Sequence, residues 1–291
     1  MLRVVLPKGS LEAATLQLFA DADLEVLRGS DVEYRASIDD PRIAEVFVLR
    51  PQEIPRYIAE GLFDLGITGR DWIEELGASV ESLAELHYSK SSARPIRVVL
   101  AVGADAPWQR AAELPAGVRV QTEYPRLTQR YFERIGVEAE VSLSYGATEA
   151  KVPEIADAVV EITETGRALR AAGLRIIDEL LISHTELIAN PASAADPEKR
   201  RAMEHIRTLL LGVLDARGRV LLKCNVDSGD LDAVLALLPS LKSPTVSALS
   251  GGTAFAVESV VAKRDVNTLI PALKDAGASG ILELPIAKIV P

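Results

Sequence analysis

Apolar residues come in short runs, and each run is followed by apolar positions at helical spacing. Residues 2–6 form the first run, closed by Pro7, and are predicted to be a buried strand. Lys8-Gly9-Ser10 follows, with Ser10 as the expected N-cap of a helix marked by Leu11, Ala14, Thr15 and Leu18. A strand at 45–49 precedes a helix entered through Pro51, with Ile54 and Ile58 on one face. Residues 62–67 give another strand, closed by Thr68-Gly69, and Trp72, Ile73 and Leu76 begin the next helix. This βαβα rhythm predicts a mostly parallel sheet with helices on its faces.

A second α/β unit is expected from about Arg97, with strands at 97–102, 118–122, 138–143 and 156–162. Leu127, Tyr131 and Ile135 mark a helix among them. The apolar stretch 174–188 returns the chain to the first unit. Two α/β lobes joined by crossing segments form a cleft, where small ligands bind. A loop at 190–197 leads into a long helix through Ile206, Leu209, Leu210 and Val213. Past Gly218 the pattern becomes strand, helix, two strands around Gly251-Gly252, helix, strand. Pro271 is expected to kink or shorten the last helix. The order βαββαβ is that of a ferredoxin-like split unit. The expected domains are lobe I at 1–95, completed by about 180–212, lobe II at 96–179, and a third unit at 213–291.

Composition narrows the function. The chain has 291 residues, 48% hydrophobic and 25% charged, which excludes a disordered chain and a coiled coil. The net charge of −10 argues against nucleic-acid and membrane-surface binding, but leaves anionic small substrates to local cations or a metal. Cys224 is the single cysteine, and His87, His184 and His205 are too far apart in the chain for metal-ligand spacing. No apolar run approaches the ~18 residues of a membrane span, and no signal peptide is recognisable. A cytoplasmic protein is expected.

The sharpest chemical feature is Asp157-Ala158-Val159-Val160-Glu161-Ile162-Thr163-Glu164-Thr165-Gly166-Arg167-Ala168-Leu169. A strand runs into a turn rich in hydroxyls and glycine, and a helix begins. Free backbone N–H groups in such a turn suit a phosphate, with Thr163 and Thr165 as further donors. The same pattern also serves as plain helix capping. Glu161, at the strand end, is placed to accept from sugar hydroxyls. Lys8-Gly9-Ser10 is a second candidate anion site. Arg50 and Glu53 follow one strand, and Gly66-Ile67-Thr68-Gly69-Arg70-Asp71 ends another. Strand ends in a parallel sheet share one edge, so these groups converge. Asp39-Asp40 before Pro41 reads as a turn rather than a metal pair. Trp72, Trp108 and the tyrosines read as packing, and Cys224 as a core residue.

These segments together resemble the long form of ATP phosphoribosyltransferase, the first enzyme of histidine biosynthesis. The resemblance rests on Pro7-Lys8-Gly9-Ser10-Leu11, Ser37-Ile38-Asp39-Asp40-Pro41, Leu49-Arg50-Pro51-Gln52-Glu53-Ile54-Pro55, Gly66-Ile67-Thr68-Gly69-Arg70-Asp71-Trp72, Thr122-Glu123-Tyr124 and Tyr145-Gly146-Ala147-Thr148-Glu149-Ala150-Lys151-Val152-Pro153. The turn after Asp157 belongs to it, as do Ser243-Pro244-Thr245-Val246-Ser247 and Gly280-Ile281-Leu282-Glu283. It implies two lobes like a type II periplasmic binding protein, then an ACT-like domain that the short form lacks.

The resemblance also implies a reaction in which adenine N1 of ATP attacks the anomeric carbon of phosphoribosyl pyrophosphate and pyrophosphate leaves, with Mg²⁺. Carried over by position, Asp157, Glu161, Thr163, Glu164, Thr165, Gly166, Arg167 and Ala168 bind phosphoribosyl pyrophosphate. Lys8, Gly9, Ser10, Arg50, Gly69, Asp71 and Thr122 face the nucleotide, and Glu161, Lys8 and Arg50 are the candidate catalytic residues. Glu161 stands where the family usually has Asp, and Ala168 where it usually has Thr. L-histidine is the implied inhibitor, with Asn225, Ser243 and Thr245 as candidate contacts, and dimers assembling into hexamers are implied. Two alternatives remain open: prephenate dehydratase, whose Thr-Arg-Phe tripeptide is absent here, and a non-catalytic small-molecule sensor on the same fold.

Overall fold

The structure is a computed structural model, and it describes residues 1–30, 32–88, 96–239 and 243–291. The expected boundary between the lobes, at 95 and 96, borders residues 89–95, which lie outside the described residues. In chain order the first elements are β1 (Leu2–Pro7), α1 (Glu12–Asp21), β2 (Val26–Leu27), β3 (Arg35–Ile38), β4 (Ile43–Leu49), α2 (Ile54–Ala59), β5 (Leu65–Gly69), α3 (Arg70–Leu76) and β6 (Glu81–Leu86). There follow β7 (Ile96–Gly103), β8 (Val118–Thr122), α4 (Pro125–Ile135), β9 (Ala139–Leu143), β10 (Ala158–Thr163), α5 (Arg167–Ala171), β11 (Leu174–Ser183), β12 (Thr185–Ala189), α6 (Pro191–Ala195) and α7 (Pro197–Ala216). The last are β13 (Arg219–Asp227), α8 (Leu231–Leu237), β14 (Thr245–Ala248), β15 (Ala254–Ala262), α9 (Val266–Asp275) and β16 (Ser279–Pro285). The chain divides into two compact units, Met1–Arg207 and Thr208–Pro291.

The first unit holds two sheets. Lobe I has the strand order β2-β3-β4-β1-β5-β12-β6, and lobe II has β11-β7-β10-β8-β9. Both sheets are mixed rather than mostly parallel. In lobe I, β4, β1 and β5 run parallel, while β12 pairs antiparallel with both β5 and β6. In lobe II, β8, β9 and β10 run parallel, and β7 opposes β10 and β11. The central strands β1, β5, β7 and β10 carry the most buried apolar positions, because both of their faces are covered, whereas β8 and β9 alternate. Val5, Ile54, Ile58, Ile73 and Ile188 pack one lobe I layer, and Val98, Leu100, Val120, Phe132 and Val160 pack lobe II.

The apolar stretch 174–188 is two strands, not one segment. β11 closes lobe II, His184 makes the crossing, and β12 enters lobe I between β5 and β6. Asp40 holds the Arg42 guanidinium through two hydrogen bonds of 2.8 and 2.6 Å, so Asp39-Asp40 is part of a turn.

The second unit is a four-stranded antiparallel sheet of order β14-β15-β13-β16, with α8 and α9 over one face. This is the expected βαββαβ arrangement. Cys224 is buried in its core. The helix is not shortened at Pro271, for α9 runs through it to Asp275. Proline removes one N–H from the helix, but Val266, Leu269 and Leu273 are buried against the sheet and keep the helix in register.

Candidate active site

The C-terminal ends of the parallel strands in both lobes converge on a cleft of about 400 Å³. Ser10, Gln52, Gly69, Asp71 and Trp72 line it from lobe I. Glu123, Tyr124, Thr163, Glu164, Thr165, Arg167 and Ala168 line it from lobe II, with Ser183, His184 and Thr185 at the crossing.

The turn between β10 and α5 is built by its own hydroxyls. Thr163 Oγ1 accepts from the Gly166 N–H at 2.8 Å, and Thr165 Oγ1 accepts from the Arg167 N–H at 3.4 Å. These two N–H groups are therefore not free, contrary to the expectation from sequence. Each hydroxyl keeps its own proton to donate, so the turn presents O–H groups in their place. Gly166 has φ +70°, and a Cβ there would lie 3.1 Å from Ile176 Cδ1. Glycine is thus required by the turn itself, before any ligand arrives. Among the described residues no carboxylate pairs with the guanidinium of Arg167, which lines the cleft, or of Arg50, which does not line it.

Two cleft acceptors are buried without a partner, Glu164 Oε1 and Gln52 Oε1. A buried unsatisfied oxygen costs about 1–3 kcal/mol, which a hydroxyl or amino donor from a ligand would recover. Gln52 was missed in the sequence, although it follows Arg50-Pro51 at the same strand edge.

Glu161 lies two residues before Thr163 on the same face of β10 and is partly buried. Burial pushes its carboxyl above the ordinary carboxylate value. The charges of Glu123 and Glu149 push the same way, opposed by the Ile162 N–H and the Thr148 hydroxyl.

Several expected ligand contacts have structural partners of their own. Asp71 is 4% exposed and holds both lobes: its Oδ1 accepts from Ser183 Oγ at 2.6 Å and its Oδ2 from Tyr124 Oη at 2.9 Å. Burial raises its pKa, against those two donors. Gly69 makes room for this carboxylate, since a Cβ there would lie 2.2 Å from Asp71 Oδ1. Beside it, Glu75 accepts from the N–H groups of Arg126 and Leu127 at 3.0 and 2.8 Å, capping α4 from α3. Trp72 stacks on Tyr124 with ring centroids 4.6 Å apart. Thr122 is fully buried, and its Oγ1 accepts from the Tyr124 N–H at 2.9 Å, so it positions Tyr124 rather than meeting nucleotide.

Asp157 is also not brought to the cleft. It opens β10 at the end away from the turn, and it accepts from Arg119 Nη2 at 2.7 Å and from the Arg119 N–H at 3.0 Å. Arg119 holds its carboxyl below the ordinary value.

At the end of β1, Lys8 places its ammonium 5.0 Å from the centre of the Tyr34 ring. Ser10 is not an N-cap, because it sits inside a short 3₁₀ turn and makes no capping bond. Glu12 instead reaches back to the Gly9 N–H at 3.2 Å, which satisfies the turn and leaves Ser10 facing the cleft. In the second unit, Ser243 and Thr245 share a pocket of about 460 Å³ with Arg219 and Glu258. Asn225 does not line it. It lies further along β13, where its carbonyl accepts from Ser279.

His87 and His184, distant in the chain, come together. Their rings lie 5.6 Å apart, because β6 and β12 pair antiparallel.

Hydroxyls, an unpaired guanidinium and unpartnered acceptors around a cleft between two lobes define an enzyme that positions a phosphate-bearing substrate. The family model for ATP phosphoribosyltransferase matches residues 50–212, and that for the HisG C-terminal domain matches 216–288. The ATP phosphoribosyltransferase of Pelotomaculum thermopropionicum is 48% identical over 290 residues, covering 100% of this chain and 99% of that one. That of Nitratidesulfovibrio vulgaris strain Miyazaki F is 49% identical over 291 residues, covering 100% and 98%. A solved chain of the ATP phosphoribosyl transferase HisG:HisZ complex of Thermotoga maritima superposes with a TM-score of 0.60 at 27% identity, covering 72% of this chain and 98% of that chain. The chain belongs to the ATP phosphoribosyltransferase family. It is a transferase of the first step of histidine biosynthesis, in which ATP and phosphoribosyl pyrophosphate give N1-(5-phosphoribosyl)-ATP and pyrophosphate. Among the described residues, no helix is long and apolar enough to cross a membrane.

Proposed function

We propose that phosphoribosyl pyrophosphate binds with its 5′-phosphate on the turn at 163–168 and that ATP enters from the lobe I side of the cleft. The observation that carries this reading is the pairing of donor hydroxyls on Thr163 and Thr165 with the unpaired cation of Arg167. Glu161 and the unpartnered Glu164 Oε1 accept from the ribose hydroxyls. Lys8 and Arg50, at the ends of β1 and β4, face the triphosphate and the leaving pyrophosphate. Ala168 supplies no hydroxyl, which leaves Arg167 a larger share of the phosphate's charge. The side chains act by positioning and charge stabilisation as the anomeric carbon gains positive character.

Glu161, which feels the charges of Glu123 and Glu149, offers oxygen donors that fit Mg²⁺, a hard cation usually held by one or two carboxylates and substrate phosphates. Glu161 and Glu123 would hold it, and when bound it neutralises the departing pyrophosphate.

In the second unit, the pocket of Ser243 and Thr245 offers Arg219 to the carboxylate of L-histidine as inhibitor, beside Glu258, which Lys223 holds at 2.7 Å. Such inhibition requires histidine to favour a less active state of the enzyme. Leu282 and Leu284 stay exposed on β16, which supports burial between copies in a dimer that builds hexamers. The test is calorimetry of phosphoribosyl pyrophosphate with Arg167→Ala. Arg167 is exposed and carries no partner carboxylate, so the fold should be unaffected while affinity falls by about 10- to 150-fold, the scale of one charged hydrogen bond. Unchanged affinity would remove this turn from the site.

A further inference from the structure

β6 is the last lobe I strand before the chain reaches lobe II, β12 is the first after it returns at His184, and the two strands pair. Thr185 pairs with Leu86 and Glu186 with Glu85, so the antiparallel register continues to set His184 opposite His87. Directly opposite residues share a face, and so do residues two apart on one strand. Glu85, His87 and His184 therefore project together. One ligand atom from each lies within 4.8 Å of the other two, and Glu85 Oε2 is 3.4 Å from His87 Nε2. The histidine rings stand edge to face at 84°. Among the described residues this is the one group of three such side chains brought so close.

We infer that Glu85, His87 and His184 form a binding site for a divalent transition metal of the zinc class. Two imidazoles and one carboxylate with a fourth position open to water are a recurrent zinc donor set. Tetrahedral zinc with bonds near 2.0–2.1 Å needs ligand atoms about 3.4 Å apart, so the side chains must close by roughly 1 Å. Glu85 and His87 are 55% and 69% exposed at the side chain and can make that rotation. The nearby Arg70 guanidinium is taken up by Glu74 and Glu186, at 2.5 and 3.4 Å. Imidazole donors select zinc, cobalt, nickel or copper over Mg²⁺, so this site is distinct from any Mg²⁺ carried with the substrates. It ties β6 to the residue at which the chain re-enters lobe I, and His184 also lines the cleft.

The test uses the full chain, freed of metal by chelation and dialysed against Zn²⁺ in a large excess of Mg²⁺. One equivalent of Zn²⁺ should be retained, and Co²⁺ should give the visible absorption bands of a four-coordinate site. His87→Ala and His184→Ala should each weaken Zn²⁺ binding at least tenfold and abolish the cobalt bands, while Glu85→Gln should weaken it less. His205→Ala should change nothing, because His205 lies on α7 outside the cluster. Retention of Zn²⁺ by the His87 variant at wild-type strength, or no retention by the wild type, would overturn the proposal.

Discussion

Tyr124→Phe removes one hydroxyl from the joint between the lobes and leaves the ring on Trp72. Asp71 is 4% exposed, and its carboxylate has two side-chain donors, Ser183 at 2.6 Å and Tyr124 at 2.9 Å. Hydrogen bonds to a charged group contribute about 1.5–3 kcal/mol each, so the variant should lose that much stability where Asp71 is ionised. Both tryptophans, Trp72 and Trp108, lie in the Met1–Arg207 unit, so their fluorescence in a urea titration reports that unit alone. The midpoint should fall with the slope unchanged. The pH dependence has a definite sign. Burial raises the Asp71 pKa in the fold, so the folded state binds more protons than the unfolded one between 3.8 and the raised value. Stability from this group therefore declines as pH rises through that window. Losing the Tyr124 donor raises the folded value further, so the deficit of the variant should grow as pH rises through the raised folded value. A loss under about 0.5 kcal/mol, the range of an ordinary surface change, would refute the role given to this contact.

Gly69→Ala should act on the same joint, because its Cβ would overlap Asp71 Oδ1 and force the carboxylate off Ser183. A cost of about 1–3 kcal/mol is expected, and the double variant with Asp71→Ala should be clearly non-additive in the same titration. Asp64 tests acid stability. Burial pushes its carboxyl up, but Lys199, Ser193 and the Arg3 N–H together hold it below the ordinary 3.8. Its stabilising contribution is present above 3.8 and is lost as pH falls through the lowered folded value. The stabilities of wild type and Asp64→Asn, read by thermal melts, should therefore converge in acid and separate at neutral pH.

Hydrophobic periodicity made the buried elements legible. Strands β1, β4, β5, β7, β8 and β10 and helices α1, α4 and α7 carry apolar runs, alternations or stripes. β2, β3 and β6 did not stand out, because β2 and β6 are edge strands, short or polar on their open side, and β3, between β2 and β4, is the short polar Arg35-Ala36-Ser37-Ile38. The turn at 163–168 was legible as hydroxyls and glycine after a strand. What that pattern cannot convey is whether the hydroxyls serve the turn or a ligand, and here they bind the turn's own N–H groups while keeping protons to donate. Asp71 and Thr122 looked like ligand contacts from their places at strand ends, yet their partners are Ser183 and Tyr124, both set by tertiary packing. His87 and His184 are 97 residues apart (184 − 87), and only the antiparallel pairing of β6 with β12 unites them.

The catalytic account is tested most directly by pyrophosphate release from the purified chain given ATP, phosphoribosyl pyrophosphate and Mg²⁺ together and each substrate singly. Release that requires both substrates, with equal formation of phosphoribosyl-ATP, and that falls sharply in Arg167→Ala is the predicted result. Release with one substrate alone, or none with both, would contradict it.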